Sequence, residues 1–282
     1  MKTSTFSDLN RRDFLRVGAV GIAGLTLGVS QMARAAGGKI PIGVQLYSVR
    51  EQCAKDLPGV LAAISKMGYR GVEWAGYHGR TAKELRTMLD DNGLVTCGTH
   101  TAYETILPDK LAETVEFNRT IGNKYLIVPW MTGNTKQEWL DKAKVFNEVA
   151  AKLKPENMLT GYHAHAHDFH KLDGERAWDI FFGNTRNDVV MQLDTSNCAD
   201  GGAEAVEVLK QYPGRAITVH LKANGAGAEA VIGEDKVNWK GVFEFCESKG
   251  KTEWYIVEHE SSKDPMNAIK RSLESLKKLG KA

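Results

Sequence analysis

Gly161-Tyr162-His163-Ala164-His165, Met191-Gln192-Leu193-Asp194, Ile217-Thr218-Val219-His220 and Tyr255-Ile256-Val257-Glu258 are four short apolar runs, each ending in a side chain of metal-binding type. Short apolar runs of this kind read as buried parallel strands. Parallel strands point the same way, so polar residues at their carboxyl ends meet on one rim. Two imidazoles and two carboxylates on one rim outline a divalent-metal site.

Working outward, strands and amphipathic helices alternate along the chain. Strands are expected at 41–47, 71–74, 94–100, 125–130, 158–163, 189–194, 216–221 and 254–258. Helices are expected at 57–67, from Thr81 onward, and at 109–121, 135–153, 177–182, 203–212, 239–248 and 265–279. Thr81 and Glu84 form a capping box, and Gly68, Gly122 and Pro155 stand at helix ends. Eight βα units with right-handed crossovers imply an α/β protein with a single closed (β/α)8 TIM barrel. A doubly wound open sheet would carry a glycine-rich phosphate loop after its first strand. Gln45-Leu46-Tyr47-Ser48 is not one.

Ahead of the barrel, Asn10-Arg11-Arg12-Asp13-Phe14-Leu15-Arg16 is a twin-arginine pattern, followed by a weakly apolar run from Val17 to Val29 and a small-x-small site at Ala33-Arg34-Ala35. The run is too short and too rich in Gly and Ala to span a bilayer, so stable membrane insertion is not expected. Residues 1–36 are expected to be a cleaved export signal handled by the twin-arginine translocase, and residues 37–282 the catalytic barrel of a periplasmic or extracytoplasmic protein. Residues 1–35 carry Lys2, Arg11, Arg12, Arg16 and Arg34 against Asp8 and Asp13, a net of +3, so the remainder is −1 although the whole chain is +2. That balance gives no electrostatic case for nucleic acid or an anionic membrane as partner. Cys53, Cys97, Cys198 and Cys246 are scattered with no CxxC pair and are expected to be buried free thiols.

In such a barrel the working face is the carboxyl end of the strands. The polar residues there are Gln45, Tyr47, Glu73, His100, Trp130, His163, His165, Asp194, His220, Lys222, Glu258 and Glu260. Alternation along a strand turns His163 and His165, His220 and Lys222, and Glu258 and Glu260 the same way. Singly, each has a structural explanation: Asp194 suits a helix cap, and Lys222 and Glu260 suit solvent. Their joint occurrence on consecutive strands argues for a site.

Gly43-Val-Gln-Leu-Tyr-Ser-Val-Arg50, Gly71-Val-Glu-Trp74, Gly98-Thr-His-Thr101, Tyr162-His-Ala-His165, Met191-Gln-Leu-Asp-Thr195, Val219-His-Leu-Lys222, Ile232-Gly-Glu234 and Glu253-Trp-Tyr-Ile-Val-Glu258 together resemble the sugar phosphate isomerase/epimerase family of xylose-isomerase-like barrels, over residues 40–280. The resemblance implies one divalent ion (Mn, Mg or Zn) held by Asp194, His220 and Glu258, with His163 where the family usually places a fifth-strand Glu. A metal chelated by a substrate carbonyl and its adjacent hydroxyl acidifies the neighbouring C–H, which points to enolisation, with Glu258, His165, Glu260, Lys222 and His100 as the acid/base candidates. Tyr47, Glu73, Trp130 and Gln45 are the expected substrate contacts, Trp130 by stacking on a sugar face.

Because His163 does not reproduce the family's symmetric carboxylate pair, simple two-face epimerisation fits less well. The leading expectation is a metal-dependent isomerase or epimerase of an unphosphorylated or keto sugar acting through an enediolate. A lyase eliminating from 3-keto-glycosides is the alternative, since a C3 ketone acidifies C2–H and sets up loss of the C1 substituent. A non-catalytic periplasmic sugar-binding barrel would have no use for the spare acid/base groups. The related abasic-site endonuclease would need a richer multi-zinc ligand set. The expected partner is a sugar or glycoside; a homo-oligomer is compatible with the chain.

Overall fold

The computed structural model describes residues 38–282; the twin-arginine motif and the apolar run after it lie outside the described residues. Residues Ile40–Ala282 form one compact unit. Its eight parallel strands are β1 (Ile42–Gln45), β2 (Gly71–Trp74), β3 (Val95–His100), β4 (Tyr125–Val128), β5 (Leu159–His163), β6 (Val190–Gln192), β7 (Thr218–Leu221) and β8 (Trp254–Val257). From β1 to β6 each strand pairs with the next, β8 pairs with both β7 and β1, and a parallel bridge between Asp194 and His220 joins β6 to β7. The seam that completes the ring therefore runs through two of the expected metal ligands.

Around the strands lie α1 (Arg50–Met67), α2 (Ala82–Asp91), α3 (Leu111–Thr120), α4 (Lys136–Leu153), α5 (Ala177–Gly183), α6 (Thr195–Asp200), α7 (Ala205–Gln211), α8 (Trp239–Ser248) and α9 (Pro265–Lys278). The capping box expected at Thr81 and Glu84 forms. The first helix starts earlier than expected, at Arg50, and breaks at Asp56 (φ −153°, ψ 75°). The Asp56 carboxylate there accepts from the Gly59 amide at 3.0 Å and caps the second segment, with Pro58 in its first turn. Two features were not expected: the short helix α6, and a hairpin pairing Lys171–Leu172 with Glu175–Arg176. All four cysteines are free and buried, as expected. Among the described residues no helix is long and apolar enough to cross a membrane.

Side-chain alternation divides the barrel. Outward positions such as Val44, Val72, Leu126, Tyr162, Met191, Val219 and Val257 pack under the helices in one large core. Inward positions fill the barrel: Cys97, Tyr125, Ile127, Val190, Trp254 and Ile256 form a separate apolar cluster. Continuing along the same inward faces, Gln45, Glu73, His163, Gln192, His220 and Glu258 form a buried polar layer above it.

Gly161 makes the apolar layer possible. A Cβ there would lie 2.5 Å from the Val190 carbonyl oxygen and 2.6 Å from its Cβ. Gly161→Ala should therefore destabilise the barrel by about 1–3 kcal/mol through overpacking, read as a lower urea midpoint. An unchanged midpoint would show that β5 and β6 are less tightly apposed than described.

Candidate metal centre at the mouth of the barrel

His163 ends β5, Asp194 follows β6 as the N-cap of α6, His220 lies in β7, and Glu258 follows β8. All four are buried, and one donor atom from each lies within 4.8 Å of the others. His220 Nδ1 is 3.9 Å from Asp194 Oδ2, and His163 Nε2 is 4.0 Å from Glu258 Oε2. Ligands around a four-coordinate zinc stand about 3.4 Å apart, so these spacings admit an ion with small adjustments. The 2.6 Å contact between His220 Nδ1 and Glu258 Oε2 is a hydrogen bond that an ion would replace.

Asp194 supplies the independent check on fit. Its Oδ1 accepts from the Ser196 and Asn197 amides at 2.8 and 2.7 Å, while its buried Oδ2 has no hydrogen-bond partner. The structure shows the cap on α6 through one oxygen and leaves the other facing the cluster. A buried unpartnered carboxylate oxygen is costly unless something positive meets it. The residues present fit a divalent cation.

The electrostatics agree. Burial would raise the Glu258 carboxyl, but the hydrogen-bonded His220 imidazolium and Lys222 outweigh it and hold Glu258 well below the usual carboxylate range. Burial, with Glu258 adding, pushes Asp194 up to about 7 against the pull of Lys222 and His220. At His220 burial is overcome by Glu73 and Glu258, which raise it to about 10. Burial and the neighbouring imidazoles push His163 well below its ordinary value, keeping it neutral.

Gln45 and Glu73 do not line a pocket. Both are fully buried and paired in register on β1 and β2, beside the cluster in the same polar layer. Glu73 instead accepts from Gln45 Nε2 (2.7 Å), Gln192 Nε2 (2.8 Å) and His220 Nε2 (2.6 Å), with His100 Nε2 at 3.1 Å. The His100 and His220 imidazoles outweigh burial and keep its carboxyl strongly acidic. His100 also stacks on His220, with ring centroids 5.4 Å apart, and its Nε2 is 3.1 Å from Gln192 Oε1. Gln192, which the sequence reading did not single out, thus joins both sides of the layer.

The remaining expected residues lie around the rim. Tyr47 sits in a 3-10 turn after β1, 44% exposed, with the Arg50 guanidinium 4.4 Å above its ring. Trp130 is 55% exposed and meets His165 edge-on at 4.6 Å. Burial lowers the His165 imidazole to about 4, and its Nδ1 has no partner. Lys222 Nζ pairs with Glu260 Oε1 at 2.9 Å. Burial first, then Glu258, raises the Glu260 carboxyl. A further residue missed in the sequence is Asp168, fully buried, which accepts from Tyr162 Oη (2.8 Å) and the His165 amide (2.7 Å) and braces the loop carrying His165.

A parallel eight-stranded barrel with such a donor cluster at its carboxyl rim has the architecture of a barrel enzyme with a divalent-metal centre. The profile described as "Xylose isomerase-like TIM barrel" matches residues 61–279, and the chain belongs to that family. Inosose dehydratase of Clostridium perfringens is 22% identical over 270 residues, covering 80% of this chain and 88% of that one. Inosose dehydratase of Clostridium tetani is 26% identical over 163 residues, 51% of this chain and 54% of that one, so the match spans about half the length of that relative. Among solved structures, a sugar phosphate isomerase/epimerase from Parabacteroides distasonis matches with a TM-score of 0.73 at 24% identity, covering 86% of this chain and 98% of that one. The IolI protein solved with a zinc atom matches with a TM-score of 0.66 at 16% identity, covering 86% and 98%.

Proposed function

We propose that the protein is a divalent-metal-dependent carbon–oxygen lyase of the dehydratase type, acting on an uncharged keto-polyol or keto-sugar. It would remove the proton beside the substrate carbonyl and expel the substituent one carbon further on. The observation that carries this reading is the buried cluster of His163, Asp194, His220 and Glu258, flanked on the rim by two unlike proton carriers, His165 and the Lys222–Glu260 pair. Elimination needs unlike partners: a base for the C–H proton and an acid for the departing oxygen. His165, neutral with an unpartnered Nδ1, suits the base; the Lys222–Glu260 pair suits the acid. The dehydratase names of two relatives support the same choice.

When bound, a divalent ion would polarise the carbonyl and stabilise the charge that develops as the C–H bond breaks. Two imidazoles among four donors favour zinc over magnesium, and the zinc in IolI is in keeping with that. Trp130 and Tyr47 offer apolar faces to the ring of a substrate. Lys222 is paired with Glu260, and Arg50 lies over Tyr47 and donates to its carbonyl at 3.0 Å, so neither presents a free cation to a phosphate.

The test is incubation of the metal-loaded protein with inososes and 3-keto-glycosides in deuterated water, followed by NMR. Release of water or an aglycone with an unsaturated ketone is expected. Deuterium incorporation with an intact skeleton would replace the lyase reading with an isomerase or epimerase, which shares the first proton removal.

We further propose that residues 1–36 direct export by the twin-arginine route. Arg11→Lys with Arg12→Lys should leave the protein in the cytoplasm on cell fractionation; an undiminished periplasmic fraction would reject the signal.

A further inference from the structure

We propose that Glu73 is a positioning residue that aims both histidines at the metal, directly at His220 and through Gln192 at His163. The inference rests on the metal-centre reading above and concerns residues next to the candidate ligands but outside that set.

The hydrogen bonds can be followed atom by atom. An ionised carboxylate only accepts. Glu73 Oε2 lies 2.6 Å from His220 Nε2, so that nitrogen carries a proton, and Nδ1, which faces Asp194 and Glu258, is the donor atom left for an ion. Gln192 Nε2 donates to Glu73 Oε1 at 2.8 Å and to Thr218 Oγ1 at 3.0 Å. Its amide oxygen is thereby turned toward His163 and accepts from Nδ1 at 3.0 Å. That leaves His163 Nε2, on the Glu258 side, as the ligating atom. One carboxylate therefore selects opposite tautomers at two imidazoles: Nε2–H at His220 and Nδ1–H at His163. The tautomer of a ligating histidine is set by the hydrogen bond its other nitrogen makes.

The fold makes room for this arrangement. A Cβ on Gly98 would lie 2.3 Å from Glu73 Oε1, so β3 offers the carboxylate a gap that any other residue would fill. Gln45 Nε2, the fourth group on this carboxylate, donates to Oε2 at 2.7 Å and keeps it from rotating. An amide in place of Glu73 would turn an N–H toward at least one of these donors.

The test uses the full wild-type chain, 15N-labelled at histidine, loaded with Zn2+ and read by long-range 1H–15N correlation spectra. Of the eight histidines, two should show zinc-bound nitrogens, one with the Nε2–H tautomer and the other with Nδ1–H. Two zinc-bound imidazoles of the same tautomer would overturn the proposal without any variant having to fold. In parallel, Glu73→Gln should bind Zn2+ about 10–100-fold more weakly in chelator competition, with wild-type circular dichroism and with partial recovery in Glu73→Asp. Unchanged zinc affinity in a folded Glu73→Gln protein would also overturn it. A wild-type chain that takes up no Zn2+ rejects the metal-centre reading itself, an outcome distinct from both of these.

Discussion

Asp194→Asn should lose the metal and roughly three orders of magnitude or more of activity while keeping the fold. Lewis-acid assistance is worth several kcal/mol, and each factor of ten in rate is about 1.4 kcal/mol. The specificity of the effect comes from the division of labour between the two oxygens. Oδ1 accepts from two amides at the start of α6, and Oδ2 faces the cluster without a partner. In the variant only the amide oxygen can accept, so it takes the capping place, where Asn serves as well as Asp. The NH2 group is then forced to point at the cation site. Metal content and kcat should therefore fall together with little change in Tm, whereas Asp194→Ala should also lose about 1 kcal/mol of stability with the cap. Full metal occupancy in a folded Asp194→Asn protein would remove Asp194 from the ligand set.

The second large effect is on pH. In the metal-free protein His220 holds a proton on each nitrogen between Glu73 and Glu258, raised to about 10, and Asp194 is pushed up to about 7. An ion must displace the Nδ1 proton and meet an ionised Asp194. Both groups have raised values in the ion-free state, so acid competes with the metal and affinity rises with pH. At pH 7 roughly one to two protons should leave per ion bound. Below that, with both groups protonated, affinity should drop about 100-fold per pH unit; between about pH 8 and 10 only His220 remains to be deprotonated and the slope should approach tenfold. Calorimetry in buffers of different ionisation enthalpy counts the protons directly. A pH-independent affinity would mean that His220 is not a ligand.

The four candidate ligands were legible because two simple rules place them. Parallel strands bring their carboxyl ends to one rim, and alternation turns every second residue inward. The barrel followed from a different alternation, that of strands with helices in eight βα units. The depth of each residue was not legible. Gln45 and Glu73 sit at strand ends in the sequence, yet pairing in register buries both, with their side chains hydrogen-bonded to each other. Tyr47 escapes that fate because β1 gives way to a 3-10 turn at Leu46. Gln192 offered a weak signal as one polar residue between Met191 and Leu193, but its partner Glu73 lies 119 positions away and no local pattern connects them. The helix α6 has no apolar period and exists where Asp194 caps it. The hairpin was signalled more openly: Asp173-Gly174, both with positive φ, is a turn sequence that favours it.

Anomalous diffraction from crystals of the protein soaked in a zinc salt tests the metal centre most directly. One strong peak is expected at the carboxyl rim, within bonding distance of His163 Nε2, Asp194 Oδ2, His220 Nδ1 and a Glu258 carboxylate oxygen. No peak there, or zinc bound only at surface side chains, would contradict it.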